Sequence, residues 1–244
     1  MSRQRVQDLL LLALMVPFVV VFGFIIAVAV FLDSPGPIFY RSVRVGRGGK
    51  PFAMLKFRKM RNEARGPMLT AFNDARLTPI GRFLQATRLD ELPQFWHVLR
   101  GQMSIVGPRP EVPEFVGLYA HEYEEILSVL PGLTGLVQVQ FIEESRLLEA
   151  VKDCDCPEPN CRHAYEKVLP RKIELDLTYV RHRRVLLDAA ILLRTLVLPF
   201  TVVLHRTLEV LRRQAMPHLV GWGVGAVGVF AVLLAFATQA GSIR

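Results

Sequence analysis

Leu9 to Leu32 is a run of 24 residues without a charged side chain. As a helix rising about 1.5 Å per residue it is roughly 36 Å long, enough to cross a bilayer core of about 30 Å. It is too long for the core of a signal peptide, and no small-residue cleavage site follows it. Pro17 lies a third of the way along, where a proline removes one backbone bond and kinks a helix. Arg3 and Arg5 precede the run, and Arg41, Arg44 and Arg47 follow it. Basic flanks favour the cytoplasmic side. Two readings are open: a spanning helix with one basic flank outside, or a helix broken at Pro17 that dips in and returns with both flanks inside.

Two further apolar stretches follow the polar middle of the chain. Leu219 to Thr238 is uncharged, with Arg206, Arg212 and Arg213 on its N-terminal side and only Arg244 beyond it. That asymmetry predicts a spanning helix with its C-terminus outside. Gly223, Gly225 and Gly228 spell G-x-G-x-x-G there, but no strand precedes and no acid follows, so a dinucleotide site is excluded. Gly221 and Gly225 suit a helix-packing face instead. Val185 to Leu204 carries Asp188, Arg194 and Pro199 and follows the cluster Arg181-His182-Arg183-Arg184. This segment reads either as amphipathic helix in the interface plane or as core helices of the soluble domain.

Composition narrows the partners. Hydrophobic residues make up 51% of the 244 residues and charged residues 21%, which excludes disordered and collagen-like chains. Three cysteines and no cleavable leader point to a reducing, cytosol-facing compartment. Lys and Arg number 30 against 22 acids, a formal charge of +8. This suits anionic lipid or phosphorylated substrates. No aromatic-basic module for nucleic acid is evident.

The predicted organisation is a membrane helix over 1–34, a cytosolic domain over 35–184 with a Cys/His insert at 143–170, interfacial helices over 185–215, and a transmembrane helix and tail over 216–244. Alternating apolar residues around Gly46, Gly48 and Gly49 predict a β-hairpin over Ile38–Phe57. Asn73 to Gly101 reads as helix, Pro108, Pro110 and Pro113 as an irregular loop, and His121 to Leu130 as another helix.

Chemistry concentrates in Arg88-Leu89-Asp90-Glu91-Leu92-Pro93-Gln94. Pro93 suits the first turn of a helix running to about Arg100, with Asp90 at or near its N-cap. A capping Asp with a first-turn Glu is the plain alternative. The cations Lys56, Arg58, Arg82, Arg88 and Arg109 favour a different one. Two adjacent acids among cations suit metal-assisted phosphoryl chemistry. Gly107-Pro108-Arg109-Pro110 holds one arginine in a low-entropy turn, and arginine suits bidentate phosphate recognition.

These residues carry a family resemblance. Thr78-Pro79-Ile80-Gly81-Arg82-Phe83, Arg88-Leu89-Asp90-Glu91-Leu92-Pro93-Gln94 and His97-Val98-Leu99-Arg100-Gly101-Gln102-Met103-Ser104-Ile105-Val106-Gly107-Pro108-Arg109-Pro110 resemble, in order, the bacterial sugar transferase domain of the monotopic phosphoglycosyl transferases. Ser34-Pro35-Gly36-Pro37-Ile38-Phe39, Lys56-Phe57-Arg58-Lys59-Met60, Pro131-Gly132-Leu133-Thr134-Gly135 and Leu175-Asp176-Leu177-Thr178-Tyr179-Val180 extend the match to about residues 3–205.

The resemblance implies a helix-rich α/β enzyme with a small sheet on the cytoplasmic face of a bacterial inner membrane. It would be anchored by a kinked, re-entrant N-terminal helix. The implied reaction moves a sugar 1-phosphate from a UDP-sugar to undecaprenyl (polyprenyl) phosphate with Mg²⁺ and releases UMP, as the initiating step of glycoconjugate assembly. Asp90 is the implied nucleophile, forming an aspartyl phospho-sugar, and Glu91 its partner in metal binding or proton transfer. Lys56, Arg88 and Arg109 are the expected phosphate clamps. A homodimer is kept among the expected partners. The competing class is an inactive membrane-tethered scaffold for glycan-assembly partners.

The chain also departs from the family's pattern. Val16 stands where a serine is usual, Lys59 where a small hydroxyl residue is usual, and His97 where an asparagine is usual. The insert is a further departure. Its Cys154, Cys156, Cys161 and His163 give the inventory of a tetrahedral structural Zn²⁺ site, although C-x-C and C-x-H are tighter than common spacings. A loop with incidental thiols is the alternative.

Overall fold

The computed structural model describes residues 3–62, 74–140 and 162–197. The thiols of Cys154, Cys156 and Cys161, the His163 side chain and the segment 198–244 lie outside the described residues, and with them the zinc and C-terminal transmembrane expectations.

Helix α1 spans Arg3–Asp33, with Pro17 inside it. Ser34 and Pro35 end it, because the residue before a proline is pushed out of helical geometry. Leu14, Phe18, Val20, Val21, Phe22 and Phe24 are exposed, whereas Asp8, Leu12, Ile26 and Val30 are buried. The burial falls near both ends, and each end is tied to the same domain. At the N-terminal end, Ser104 Oγ and Ile105 N donate to Asp8 Oδ1 at 2.9 and 3.0 Å. Arg5 donates to the Val98 and Leu99 carbonyls. At the other end, Ile80 N donates to Asp33 Oδ2 at 3.2 Å, and Ile26 and Val30 pack with Phe57 and Leu84.

The expected hairpin is present. Strand β1, Phe39–Val45, pairs antiparallel with β2, Pro51–Phe57, from Phe39↔Phe57 to Val45↔Pro51. Its turn uses Gly48 and Gly49 at φ 68 and 73°, which cost glycine nothing. The exit of β2 delivers Lys56, Arg58 and Lys59.

Helix α2, Pro79–Thr87, starts as its sequence dictates: Thr78 Oγ1 accepts from Gly81 N at 2.9 Å and Pro79 occupies the first turn. It crosses directly over the Lys59 backbone. Thr78 N donates to Lys59 O at 3.1 Å, and a Cβ on Gly81 would stand 1.9 Å from that oxygen. Leu84, 1% exposed, anchors α2 in the cluster of Ile26, Val30 and Phe57. Burying a side chain of that kind stabilises by about 1.5–3 kcal/mol.

The single helix expected up to Gly101 is three pieces. Helix α2 stops at Arg88, whose φ of 60° is left-handed. A 3₁₀ turn follows over Leu89–Gln94, then α3 over Phe95–Arg100. Asp90 is therefore inside the 3₁₀ turn and is not a helix N-cap; Arg88 occupies the cap position with no side-chain cap bond.

Beyond α3, β3 (Ser104–Val106) pairs parallel with β4 (Gly132–Thr134). Helices α4 (Pro113–Leu118) and α5 (Ala120–Ile126) lie between them, so Pro113 opens a helix where a loop was expected. Helix α6 covers Leu136–Gln140 and α7 Arg162–His182. A further helix, α8, covers residues 185–197. Helices α4, α5 and α7 share one apolar cluster around Phe115, Tyr123, Tyr165 and Leu169. Val98, Met103, Tyr179 and Ile191 centre another. Helix α8 buries Ile191 and exposes Leu186 and Leu193, the two-sided pattern of an amphipathic helix.

Candidate active site

The Asp90-Glu91 dyad lies where the 3₁₀ turn packs on the exit of β2 and on the turn after β3. Glu91 is the better paired of the two. Its Oε1 accepts from Lys56 Nζ at 2.9 Å and from Arg109 NH2 at 2.6 Å, and its Oε2 accepts from Arg109 NH1 at 3.3 Å. Burial alone would push this carboxyl up, but Arg109 and Lys56 outweigh it and hold Glu91 well below the usual carboxylate range. Glu91 thus favours its charged form and pairs two cations side by side.

Asp90 differs. It is 3% exposed, and its ion-pair partner among the described residues is Lys59, whose Nζ is 3.9 Å from Oδ2. Burial and the neighbouring Glu91 charge raise its affinity for a proton above that of an ordinary aspartate, against the pull of Lys59, Lys56 and Arg88. Lys59 shifts in the complementary way: burial lowers it, and Asp90 opposes the fall. The two adjacent carboxyls thus have opposite shifts, Glu91 held charged by its cations and Asp90 drawn towards the protonated form by burial.

The turn that carries Arg109 is braced from behind. Glu111 Oε1 accepts from Arg44 NH1 at 3.1 Å and from Val112 N at 2.9 Å. Its Oε2 accepts from the Tyr165 hydroxyl, to which Lys172 donates in turn. Gly107 and Gly132 pass so closely that a Cβ on Gly132 would stand 2.1 Å from Gly107 N. Asp176 lies in the same buried group with Oδ1 unpartnered. Burial pushes its pKa up to about 8, opposed by Lys172 and aided by Glu111.

The structure thus gathers Lys56, Arg109, Asp90 and Glu91 at one point. Arg88 is exposed beside them, near enough for its charge to act on both acids. Arg58 is engaged elsewhere: it donates to the Ser34 carbonyl and to Asn62 Oδ1, tying down the exit of α1. Arg82 is exposed on α2. Lys59 joins the site although the sequence marks it only as a departure from the family's pattern. The Glu111, Lys172 and Asp176 brace has no signal in local spacing, because its members come from separate parts of the chain.

Comparisons with known proteins bear on the family. The family described as bacterial sugar transferase matches residues 1–202. The UDP-glucose:undecaprenyl-phosphate glucose-1-phosphate transferase of Caulobacter vibrioides is 35% identical over 198 residues, covering 79% of this chain and 68% of that protein. The protein of the same name from Klebsiella pneumoniae is 34% identical over 203 residues, covering 79% of this chain and 39% of its own length. The UDP-N-acetylgalactosamine-undecaprenyl-phosphate N-acetylgalactosaminephosphotransferase of Aeromonas hydrophila is 38% identical over 143 residues, 56% of this chain and 33% of that protein. The chain spans about two fifths of the Klebsiella relative and about two thirds of the Caulobacter one. With its family matched over most of its length and the dyad assembled among the cations, the chain belongs to the bacterial sugar transferase family.

Proposed function

We propose that the chain transfers a sugar 1-phosphate from a UDP-sugar to undecaprenyl (polyprenyl) phosphate and releases UMP, with Asp90 as covalent nucleophile. The observation that carries this reading is the division of labour in the dyad: Glu91 holds Lys56 and Arg109, while buried Asp90 has, among the described residues, the looser Lys59 pair at 3.9 Å. A carboxylate oxygen of Asp90 forms a bond to the sugar-bearing phosphorus. The bond from that phosphorus to UMP breaks, and its electron pair leaves on the UMP oxygen. An oxygen of polyprenyl phosphate then attacks the same phosphorus, and the pair of the Asp90–phosphorus bond returns to the carboxylate. Lys56 and Arg109, held rigid by Glu91, line the approach of the diphosphate, with Arg88 at its rim.

Mg²⁺ belongs to the same reading. Among the described residues no group of three or more His, Cys, Asp or Glu side chains forms a protein cage for a metal. An adjacent carboxylate pair fits a cation completed by substrate phosphates, which is how Mg²⁺ is commonly held. Asp90 and Glu91 would hold it, and when bound it would neutralise charge on the diphosphate.

Membrane attachment follows from α1. A helix whose Asp8 and Val30 ends both rest on one domain supports a re-entrant or surface-lying anchor more readily than a spanning one. It leaves the catalytic domain on the side of the basic flanks, the cytoplasmic face of the inner membrane.

The test is a UDP-sugar panel with the full chain in lipid, scored by UMP release with and without polyprenyl phosphate. Sugar-labelled protein in the absence of acceptor, lost in Asp90→Asn, is the expected result. No UMP release from any UDP-sugar would favour the inactive scaffold.

A further inference from the structure

We propose that Lys59 is a catalytic residue of this chain, its ammonium pairing first with the Asp90 carboxylate and then with the phosphoryl oxygens that Asp90 receives. The proposal rests on Asp90 being the nucleophile. Four observations carry it.

The first is position. The Lys59 backbone is pinned where α2 crosses it, by the Thr78 N–H on its carbonyl and by the bare Gly81 Cα above. The side chain leaves a fixed origin and reaches Asp90 Oδ2 at 3.9 Å. The second is the commitment of Lys56, Arg109 and Arg58, which leaves exposed Arg88 as the other cation acting on Asp90. Lys56 and Arg109 bind Glu91, and Arg58 binds Ser34 and Asn62. The charge of Asp90 is met at close range by Lys59.

The third is the looseness of that pair. A charge-assisted hydrogen bond closes to about 2.7–2.9 Å. At 3.9 Å the ammonium is near enough to attract the carboxylate and is not locked to it. The Lys59 side chain is 23% exposed while that of Asp90 is 4% exposed, so of the pair the lysine is the one that solvent reaches more. The fourth is charge. When Asp90 bonds to phosphorus its own negative charge is consumed, and the negative oxygens of the phosphoryl group arrive in its place. An ammonium beside Asp90 loses one anionic partner and gains another without moving far. When the acceptor oxygen displaces Asp90, the restored carboxylate takes the ammonium back. Lys59 makes and breaks no covalent bond, and the step asks no proton transfer of it. A cation aimed at developing phosphoryl charge in a partly dry site is worth on the order of 100- to 1000-fold in rate.

The experiment uses the full chain in lipid nanodiscs with sugar-labelled UDP-glucose and UDP-N-acetylgalactosamine, tried in turn. Two half-reactions are timed: labelling of the protein without acceptor, and loss of the label when polyprenyl phosphate is added. Lys59→Met, which keeps the stem and removes the charge, is expected to slow both by about 100-fold. Its KM for UDP-sugar is expected to change far less than kcat. Lys59→Arg is expected to recover most of the loss, and thermal melting of both variants to match the parent. Lys59→Met labelling at the parent rate overturns the proposal and leaves the nucleophile reading standing. Equal loss in Lys59→Met and Lys59→Arg with a lowered melting temperature also overturns it, since that is the signature of the backbone crossing under α2. A parent chain that never becomes labelled overturns the nucleophile reading itself, and the proposal with it.

Discussion

Arg109 and Glu91, 18 residues apart in sequence, share a two-pronged pair in which one guanidinium donates to both carboxylate oxygens, at 2.6 and 3.3 Å. Lys56 takes a place on the same Oε1. The arrangement converts a glutamate into a clamp that aligns two cations from β2 and from the turn after β3. Removing the arginine leaves a buried carboxylate with half its partners, and lysine cannot reproduce the fork. Arg109→Ala and Arg109→Lys are both expected to lower kcat/KM for UDP-sugar by about 100-fold or more. Steady-state UMP release checks this, and an Arg109→Lys enzyme with near-parental kcat/KM would remove the fork from the argument.

Asp176 makes a prediction about stability. Lys172 on its own helix, Glu111 and Arg109 around the braced turn, and Tyr123 on α5 are the charged and titratable groups that act on it. Burial pushes its pKa in the folded state up to about 8, from the ordinary aspartate value of 3.8. The folded state therefore binds the proton more tightly than the unfolded chain. The stabilisation is fully present below about pH 4 and is lost as pH rises towards 8. Asp176→Asn, which stays neutral, is expected to gain on the parent steadily between pH 5 and pH 8. Melting temperatures of the two proteins across that range check it; a constant difference contradicts it.

The anchoring of α1 at both ends is tested by labelling. In a chain with Cys154, Cys156 and Cys161 replaced by Ser, single cysteines are introduced as Arg3→Cys and Arg41→Cys, both exposed positions. A membrane-impermeant thiol reagent is expected to reach both from the cytoplasmic side only. Opposite-side labelling would mean that α1 spans.

Gly81 offers a steric test. A methyl group there would stand 1.9 Å from the Lys59 carbonyl oxygen and 2.7 Å from its carbon. Backbone must shift, so Gly81→Ala is expected to cost about 1–3 kcal/mol or more, read by thermal or denaturant melting. Transfer activity should fall further than stability alone explains, because the displaced backbone carries the ammonium at Asp90.

The sequence is most legible where local rules act alone. The length of the Leu9–Leu32 run announces α1, and alternation around Gly46, Gly48 and Gly49 announces the hairpin. It is least legible where distant parts decide. The break at Arg88 needs a non-glycine residue in the left-handed region, which costs of order 1–3 kcal/mol and is held there by the surrounding packing. No residue type marks such a position, so the sequence shows a helix start at Pro93 but neither the stop at Arg88 nor the 3₁₀ turn over Leu89–Gln94. The parallel pair of β3 and β4 is three residues per strand, too short for a period to show. At the site, the dyad and the Pro108-Arg109-Pro110 turn stand out because acids and cations crowd unusual backbone. Lys59 does not, because β2 ends at Phe57. The two-residue alternation that would assign its face lapses two residues too early.

The seating of α1 has one more consequence. Ile26 and Val30 of the anchor share a cluster with Phe57 and Leu84, which flank the exit of β2 and the middle of α2. On the membrane seating proposed for α1, the same contacts would set the height of Asp90 above the lipid plane. An anchor joined at one end would let the domain swing and sample many heights. One seated at both ends would work as a spacer of fixed length, so the lipid-borne acceptor of the proposed reaction would need to find the site in two dimensions only. Shortening or lengthening the helix between Leu12 and Ile26 would change that height even with every residue of the dyad intact.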